Sequence, residues 1–158
     1  MHQLNLPEYH FKIKKQENKL FVFDSQRKRY VSLTPEEWVR QHFIRFLIEE
    51  MKYPSNLLAV EYQVIWNNLK KRCDAVLFTK EATPFLIIEL KAPHVPITQQ
   101  VFDQVAVYNA KLNVQYFMVS NGLEHYCCKI NLQNNCYDFL PGIPTYQELI
   151  ASEKPVKK

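Results

Sequence analysis

The sequence predicts an α/β fold: a mixed central sheet flanked by helices, with extra strands at the N-terminal end. Three observations carry this. Apolar residues make up 47% and aromatic residues 13% of the 158 positions, the composition of a globular chain with enough length for one sizeable core. Two segments combine helical periodicity with helix-start signals, and the runs between them alternate or stay apolar over strand lengths. The resulting order is strands, helix, three strands, helix, two or three strands, helix, which suits a sheet covered by helices. A single domain over 1–152 is expected, with 153–158 as a mobile tail.

The first stretch, "YHFKIKKQENKLFVFDSQRKRYVSL", reads as two or three short strands. Phe11 and Ile13, then Phe21 and Phe23, alternate, and "KKQENK" and "DSQRKR" supply turns. In "LTPEEWVRQHFIRFLIEEMKYP", Thr34 is an N-cap, Pro35 opens the helix, and Glu36 and Glu37 occupy its first turn. Trp38, Phe43, Phe46, Leu47 and Met51 follow a helical period, and Pro54 ends the segment. Strands are expected at 57–66, 72–78 and 84–91, the last two joined by the polar loop "TKEAT". Residues 97–112 form an amphipathic pattern with Val101, Val105 and Leu112 on its apolar side. A buried strand over 114–122 then runs into Asn121-Gly122, a tight-turn signal, and 123–130 is its antiparallel partner. "CYDFL" adds a strand and "PTYQELIA" a short helix.

Several function classes fall away on composition. With only 2 glycines, no glycine-rich phosphate loop or dinucleotide fingerprint exists. The four cysteines, Cys73, Cys127, Cys128 and Cys136, form no CxxC pair and no zinc spacing with histidine. They read as reduced thiols of a cytoplasmic protein. No apolar run approaches the roughly 18 residues of a membrane span, and the N-terminus lacks a signal-peptide layout. Net charge is +4, but residues 34–151 carry ten basic and twelve acidic side chains. A weakly acidic centre argues against a broad basic nucleic-acid surface and is compatible with carboxylates gathered for a divalent cation.

The hairpin 72–91 holds the residues that bear chemistry. A register centred between residues 81 and 82 sets Asp74 opposite Glu89 and Arg72 opposite Lys91. Directly opposed residues have Cβ atoms about 4.5–5.5 Å apart. Glu89 and Lys91 share one face of a strand that starts as "FLII". Pairing between those two leaves Asp74 without a partner, and buried charge is costly when unpaired. A structural ion cluster is one reading. A Mg²⁺ ion, which takes one or two carboxylates plus waters and phosphate oxygens, is the other.

"RCDAVLF" followed by "IIELKAP" matches the D…ExK signature of the PD-(D/E)xK nuclease superfamily, through Asp74, Glu89 and Lys91. With "TPEEWVRQ", "VFDQVAVYNAKL" and "VSNGLEHYCCKI", the chain more closely resembles the nuclease domain at the start of type I restriction enzyme R subunits, over roughly residues 33–130. The resemblance implies a restriction-endonuclease-like fold and Mg²⁺- or Mn²⁺-dependent hydrolysis of phosphodiester bonds, with DNA the expected substrate. It implies that Asp74, Glu89 and the Leu90 carbonyl hold the metal, and that Lys91 orients water or stabilises charge on the phosphate. Gln104 and Tyr108 match the family's QxxxY motif, and Gln100 lies one turn away on the same helical face. These three would contact nucleic acid or hold Lys91. Glu37 would be a further metal ligand or water-orienting acid.

Plainer readings stand beside these. Helix-start electrostatics explains Glu37, and helix-to-sheet packing explains Gln104 and Tyr108. Arg40 and Arg72 either touch phosphates or make salt bridges. Glu36 is expected to be exposed, Glu61 to face solvent, and Asn121 to be a turn residue. His94 and His125 have no partner at a catalytic spacing. No motor segment fits in this chain, so ATP-driven translocation is not expected of it. Cutting both strands of a duplex with one small domain calls for two copies, so a homodimer or separate restriction-system subunits are the partners considered, and no membrane. The competing function is a non-catalytic module that binds nucleic acid or a partner on the same fold.

Overall fold

The computed structural model describes residues 1–134 and 136–152; the tail expected over 153–158 lies outside them. The N-terminal strands β1 (Ile13–Gln16), β2 (Lys19–Asp24) and β3 (Arg29–Ser32) form a separate antiparallel sheet in sequential order. Phe11, expected to begin the alternation, precedes β1. Glu17 and Asn18 both have positive φ, the geometry of a two-residue hairpin turn that matches strand twist.

Helix α1 (Pro35–Glu49) starts as its sequence signals dictate: Thr34 is extended, and its hydroxyl accepts the Glu37 N–H at 3.0 Å. That N–H would otherwise be one of the helix's unpaired donors. Thr34→Ala is therefore expected to destabilise the fold by about 1 kcal/mol, seen as a fall of about 2–4 °C in thermal melting. The helix ends before Met51, which packs from the following segment.

The central sheet contains β4 (Leu58–Trp66), β5 (Leu69–Phe78), β6 (Pro84–Leu90), β7 (Tyr116–Ser120), β8 (His125–Asn131) and β9 (Cys136–Phe139), hydrogen-bonded in that order. Every neighbouring pair is antiparallel except β6 and β7. A parallel pair needs a crossover, and α2 (Gln99–Leu112) provides it. Strand β5 begins earlier than the expected residue 72, because Asn67 and Asn68 both take positive φ and close a tight hairpin with β4. Asn121 Oδ1 accepts the N–H groups of Leu123 and Glu124, which makes the turn between β7 and β8. Helix α3 (Tyr146–Ala151), the last element among the described residues, starts with a Thr145–Glu148 capping box. No helix among the described residues is long and apolar enough to cross a membrane.

One core layer lies between the sheet and α1, around Val39, Phe43, Leu47, Ala75, Leu86 and Ile88. The other lies beneath α2, around Val64, Val76, Ile87, Val105 and Phe117. Strand alternation predicts one face per parity, and in β4 and β5 that parity inverts midway. Leu58 packs in the α1 layer whereas Tyr62 and Val64 pack in the α2 layer. Ala75 and Leu77 face α1 whereas Cys73 faces α2. The inversion falls at Glu61, whose φ is 57°, and at Asp74, the residue across from it; the two are missing from an otherwise regular ladder. The acids thus sit where the sheet changes faces.

Candidate functional site

The β5–β6 ladder keeps the expected register through Ala75↔Ile88 and ends there. The strands then diverge, so Asp74 and Glu89 are not a directly opposed ladder pair. Arg72 does not oppose Lys91 either: it pairs with Gln63 of β4, and its guanidinium reaches Glu61 at 2.9 Å. Asp74 fills the gap left by the divergence, and its Oδ2 accepts the Leu90 N–H at 2.8 Å. Leu90 thereby holds Asp74 through its amide.

Asp74 and Glu89 are 5% and 3% exposed. Glu89 Oε1 accepts a hydrogen bond from Gln104 Nε2 at 3.2 Å and lies 3.8 Å from Lys91 Nζ. Glu89 Oε2 is buried with no hydrogen-bond partner. Burial, then the charge of Asp74, push the Glu89 carboxyl up to about 10, against the pull of Lys91. Lys91 Nζ donates to Gln104 Oε1 at 2.9 Å. Gln104 Nε2 also donates to the Tyr108 hydroxyl at 3.2 Å, and that hydroxyl donates to the Arg72 carbonyl at 2.8 Å. The i, i+4 spacing on α2 thus makes a relay from β5 through Tyr108 and Gln104 to Lys91. Gln100 is exposed on the rim of an open groove that Lys91, Gln104, Glu36 and Lys71 also line.

Arg40 takes a supporting place beneath the acids rather than a position on the open face. Its Nη2 donates to Asp74 Oδ1 and lies 2.7 Å from Glu61 Oε1, and its Nη1 donates to Glu37 Oε1 at 2.6 Å. Burial lowers its pKa, but the charges of Asp74 and Glu37 outweigh that and raise it. Glu37 is placed away from the open groove. Its two oxygens accept from Arg40, from Arg27 at 2.8 Å and from Gln41 at 3.0 Å. Arg27 also holds Asp24 in the N-terminal sheet. Burial works against the Asp24 carboxylate, yet its hydrogen bonds from Arg27 and Gln26 keep it below the usual range.

Glu36, one residue earlier, borders the groove with a side chain 46% exposed. Burial and then the charge of Asp74 raise its carboxyl, while Arg40 opposes this. Of the two first-turn acids, Glu36 is the one turned toward Asp74 and Glu89. Glu61 is not turned to solvent: it bridges Arg40 and Arg72. A glutamate with positive φ inside a strand is strained and belongs to the kind of outlier that gathers at functional sites. Its orientation could not be found from strand parity, although Arg40 at i+3 and i+4 from the helix-start acids was a visible pairing signal.

The remaining polar residues have structural tasks. Asn121 Nδ2 donates to the Val95 carbonyl and fastens the loop leading to α2. His125 bridges Ser120 Oγ and the Asn5 carbonyl. All four cysteines are free, and burial pushes the Cys73, Cys127 and Cys128 thiols up to about 12.

Among the described residues no group of three His, Cys, Asp or Glu side chains converges as a cation cage, so a closed zinc- or calcium-type site does not fit. Two buried carboxylates, one with an orphaned oxygen, next to Lys91 and Gln104 on the wall of an open groove fit Mg²⁺ or Mn²⁺, which keep several waters.

The family model for the type I restriction enzyme R protein N terminus matches residues 35–144. The chain belongs to this family. A search of the curated proteins gives no match. Among solved structures, the chain is similar to a fragment assigned as the HsdR subunit of a type I restriction enzyme from Vibrio vulnificus YJ016. The TM-score is 0.56 at 20% identity, over 75% of this chain and 25% of that one. The likeness bears out the expected fold, a mixed sheet flanked by helices with an additional N-terminal sheet. This chain spans about a quarter of the length of the solved chain it matches.

Proposed function

We propose that this family member is a nuclease module of the PD-(D/E)xK type that hydrolyses DNA phosphodiester bonds with Mg²⁺ or Mn²⁺. The observation that supports this most is the meeting of Asp74, Glu89 and Lys91 at the end of the β5–β6 ladder, with Glu89 Oε2 buried and unpartnered and with Lys91 and Gln104, which contact Glu89, lining an open groove. Asp74 and Glu89 would hold the cation, which when bound would polarise a phosphate and acidify a water. Lys91, kept in place by Gln104, sets a positive charge where negative charge develops during hydrolysis. Gln104 fixes Lys91 and Glu89 together, and Tyr108 fixes Gln104. Glu36, which borders the groove near Asp74, would take from Glu37 the role of orienting water from the α1 side.

In the family's setting the substrate is DNA, and the working assembly includes other restriction subunits or a second copy. A competing reading, a binding module without turnover, draws on Arg40, which already neutralises Asp74. Metal binding separates the two. Mg²⁺ or Mn²⁺ at ten times its Kd is expected to stabilise the chain by about 1.4 kcal/mol, or about 3–6 °C in melting temperature. Asp74→Asn is expected to lose that shift. Equal melting of both proteins with and without metal sinks the metal-site proposal.

A further inference from the structure

The N-terminal sheet has a solvent face that the hydrolytic site does not use. Val22 and Asp24 of β2 point inward and are buried, so their neighbours Phe21 and Phe23 point outward, half-buried. The registers line up one row across the sheet as Lys12, Phe23 and Tyr30, and the next as Lys14, Phe21 and Ser32. Phe23 and Tyr30 meet edge to face with ring centres 5.3 Å apart. Lys14 Nζ lies 4.2 Å from the Tyr30 ring centre and Lys12 Nζ 5.8 Å from that of Phe23. Tyr30 is 38% exposed, both lysines are exposed, and neither row contains a carboxylate.

A solvated sheet face satisfies itself with mixed charges and short polar side chains. Here three aromatic rings on β2 and β3 are flanked by the ammonium groups of Lys12 and Lys14, a combination that suits a ligand with flat apolar units and a repeating negative charge. Unpaired bases stack on aromatic faces, and their phosphates pair with lysine. A duplex keeps its base faces covered and has no use for the rings. The sheet is also fastened to the acidic site: Arg27, in the β2–β3 turn, bonds Asp24 and Glu37, and Gln26 donates to the Ser55 carbonyl ahead of β4 and to the Leu58 carbonyl at its start.

The geometry points to this outer face as a second binding site, a platform for single-stranded nucleic acid. Bases stack on Phe21, Phe23 and Tyr30. A base taking the Tyr30 face displaces the Lys14 ammonium toward the adjoining phosphate. The site is independent of whether Asp74 and Glu89 support hydrolysis, and its test is run without metal.

The test is fluorescence anisotropy of a labelled oligothymidylate of about 12 nucleotides with the 158-residue chain in EDTA. Tyr30→Ala is expected to weaken binding by about 5- to 150-fold. Lys12→Ala with Lys14→Ala is expected to lower the slope of log affinity against log salt by about 1.4. Phe23→Leu, which keeps an apolar side chain at the half-buried position, is expected to weaken binding in the same direction with unchanged melting. Measuring the same losses in EDTA, with no cation to bridge Asp74 and Glu89 to phosphate, separates this site from the proposed hydrolytic one. Unchanged affinity in Tyr30→Ala and in the double lysine variant overturns the platform. So does duplex binding that is as tight as single-strand binding and is lost in the same variants.

Discussion

Lys91→Ala is expected to slow Mn²⁺-dependent DNA cleavage about 10²–10³-fold, the usual loss on removing one preorganised group that stabilises developing charge. The ammonium is not a free surface charge. Its side chain is 23% exposed, its Nζ donates to Gln104 Oε1 at 2.9 Å, and it lies 3.8 Å from Glu89. Ordering of that kind is what catalysis requires and what a solvated lysine lacks. The variant should melt close to wild type, because the carboxylate next to Lys91 is already pushed toward its neutral form. Arginine at this position is expected to restore charge but little rate, since its planar fork differs from the compact ammonium that Gln104 holds. Gln104→Ala should fall between wild type and Lys91→Ala, leaving the charge in place but unanchored. Plasmid nicking followed over time reads all three. Equal cleavage by Lys91→Ala and wild type would rule out a part for Lys91 in the reaction.

The elements of the central sheet were legible because local signals agreed with the tertiary outcome. Thr34-Pro35 marked a helix start, "FLII" marked a buried strand, and Asn121-Gly122 marked the β7–β8 turn. The Ala75↔Ile88 register followed from hairpin symmetry alone. What was hidden depended on contacts between segments distant in sequence. Asp74 lies near Glu89 but also takes the Leu90 amide where the β5–β6 ladder ends, and no local pattern marks where a ladder stops. Arg40 meets Asp74 from 34 residues away and Glu61 from another strand. The positive φ of Glu61 inverts the facing of β4, so alternation counted from Leu58 points Glu61 the wrong way. The separate N-terminal sheet was readable as strands, but not as a sheet unpaired with the central one.

Glu89→Gln is expected to make the metal-free protein more stable than wild type, by about 2–3 kcal/mol near pH 7. Burial and the charge of Asp74 hold the Glu89 carboxyl at about 10 in the folded state, against an ordinary value of 4.5 in the unfolded chain. A raised folded-state pKa means that this group's contribution is fully present below pH 4.5 and is lost as pH rises toward 10. Across that window the unfolded chain ionises Glu89 freely, whereas the fold resists doing so. Glutamine is neutral in both states and removes the penalty. The stability difference between variant and wild type should therefore vanish near pH 4.5 and widen as pH rises, reaching about 5–10 °C in melting temperature near neutrality. With Mg²⁺ present the order should narrow or reverse, because a cation favours the ionised carboxylate of wild type and gains nothing from glutamine. A difference that stays flat with pH in EDTA would show that Glu89 is not held neutral by its surroundings. Loss of stability in the variant at every pH would show that the carboxyl serves the fold. An acid that weakens the protein it belongs to until a cation arrives is the expected signature of a functional site.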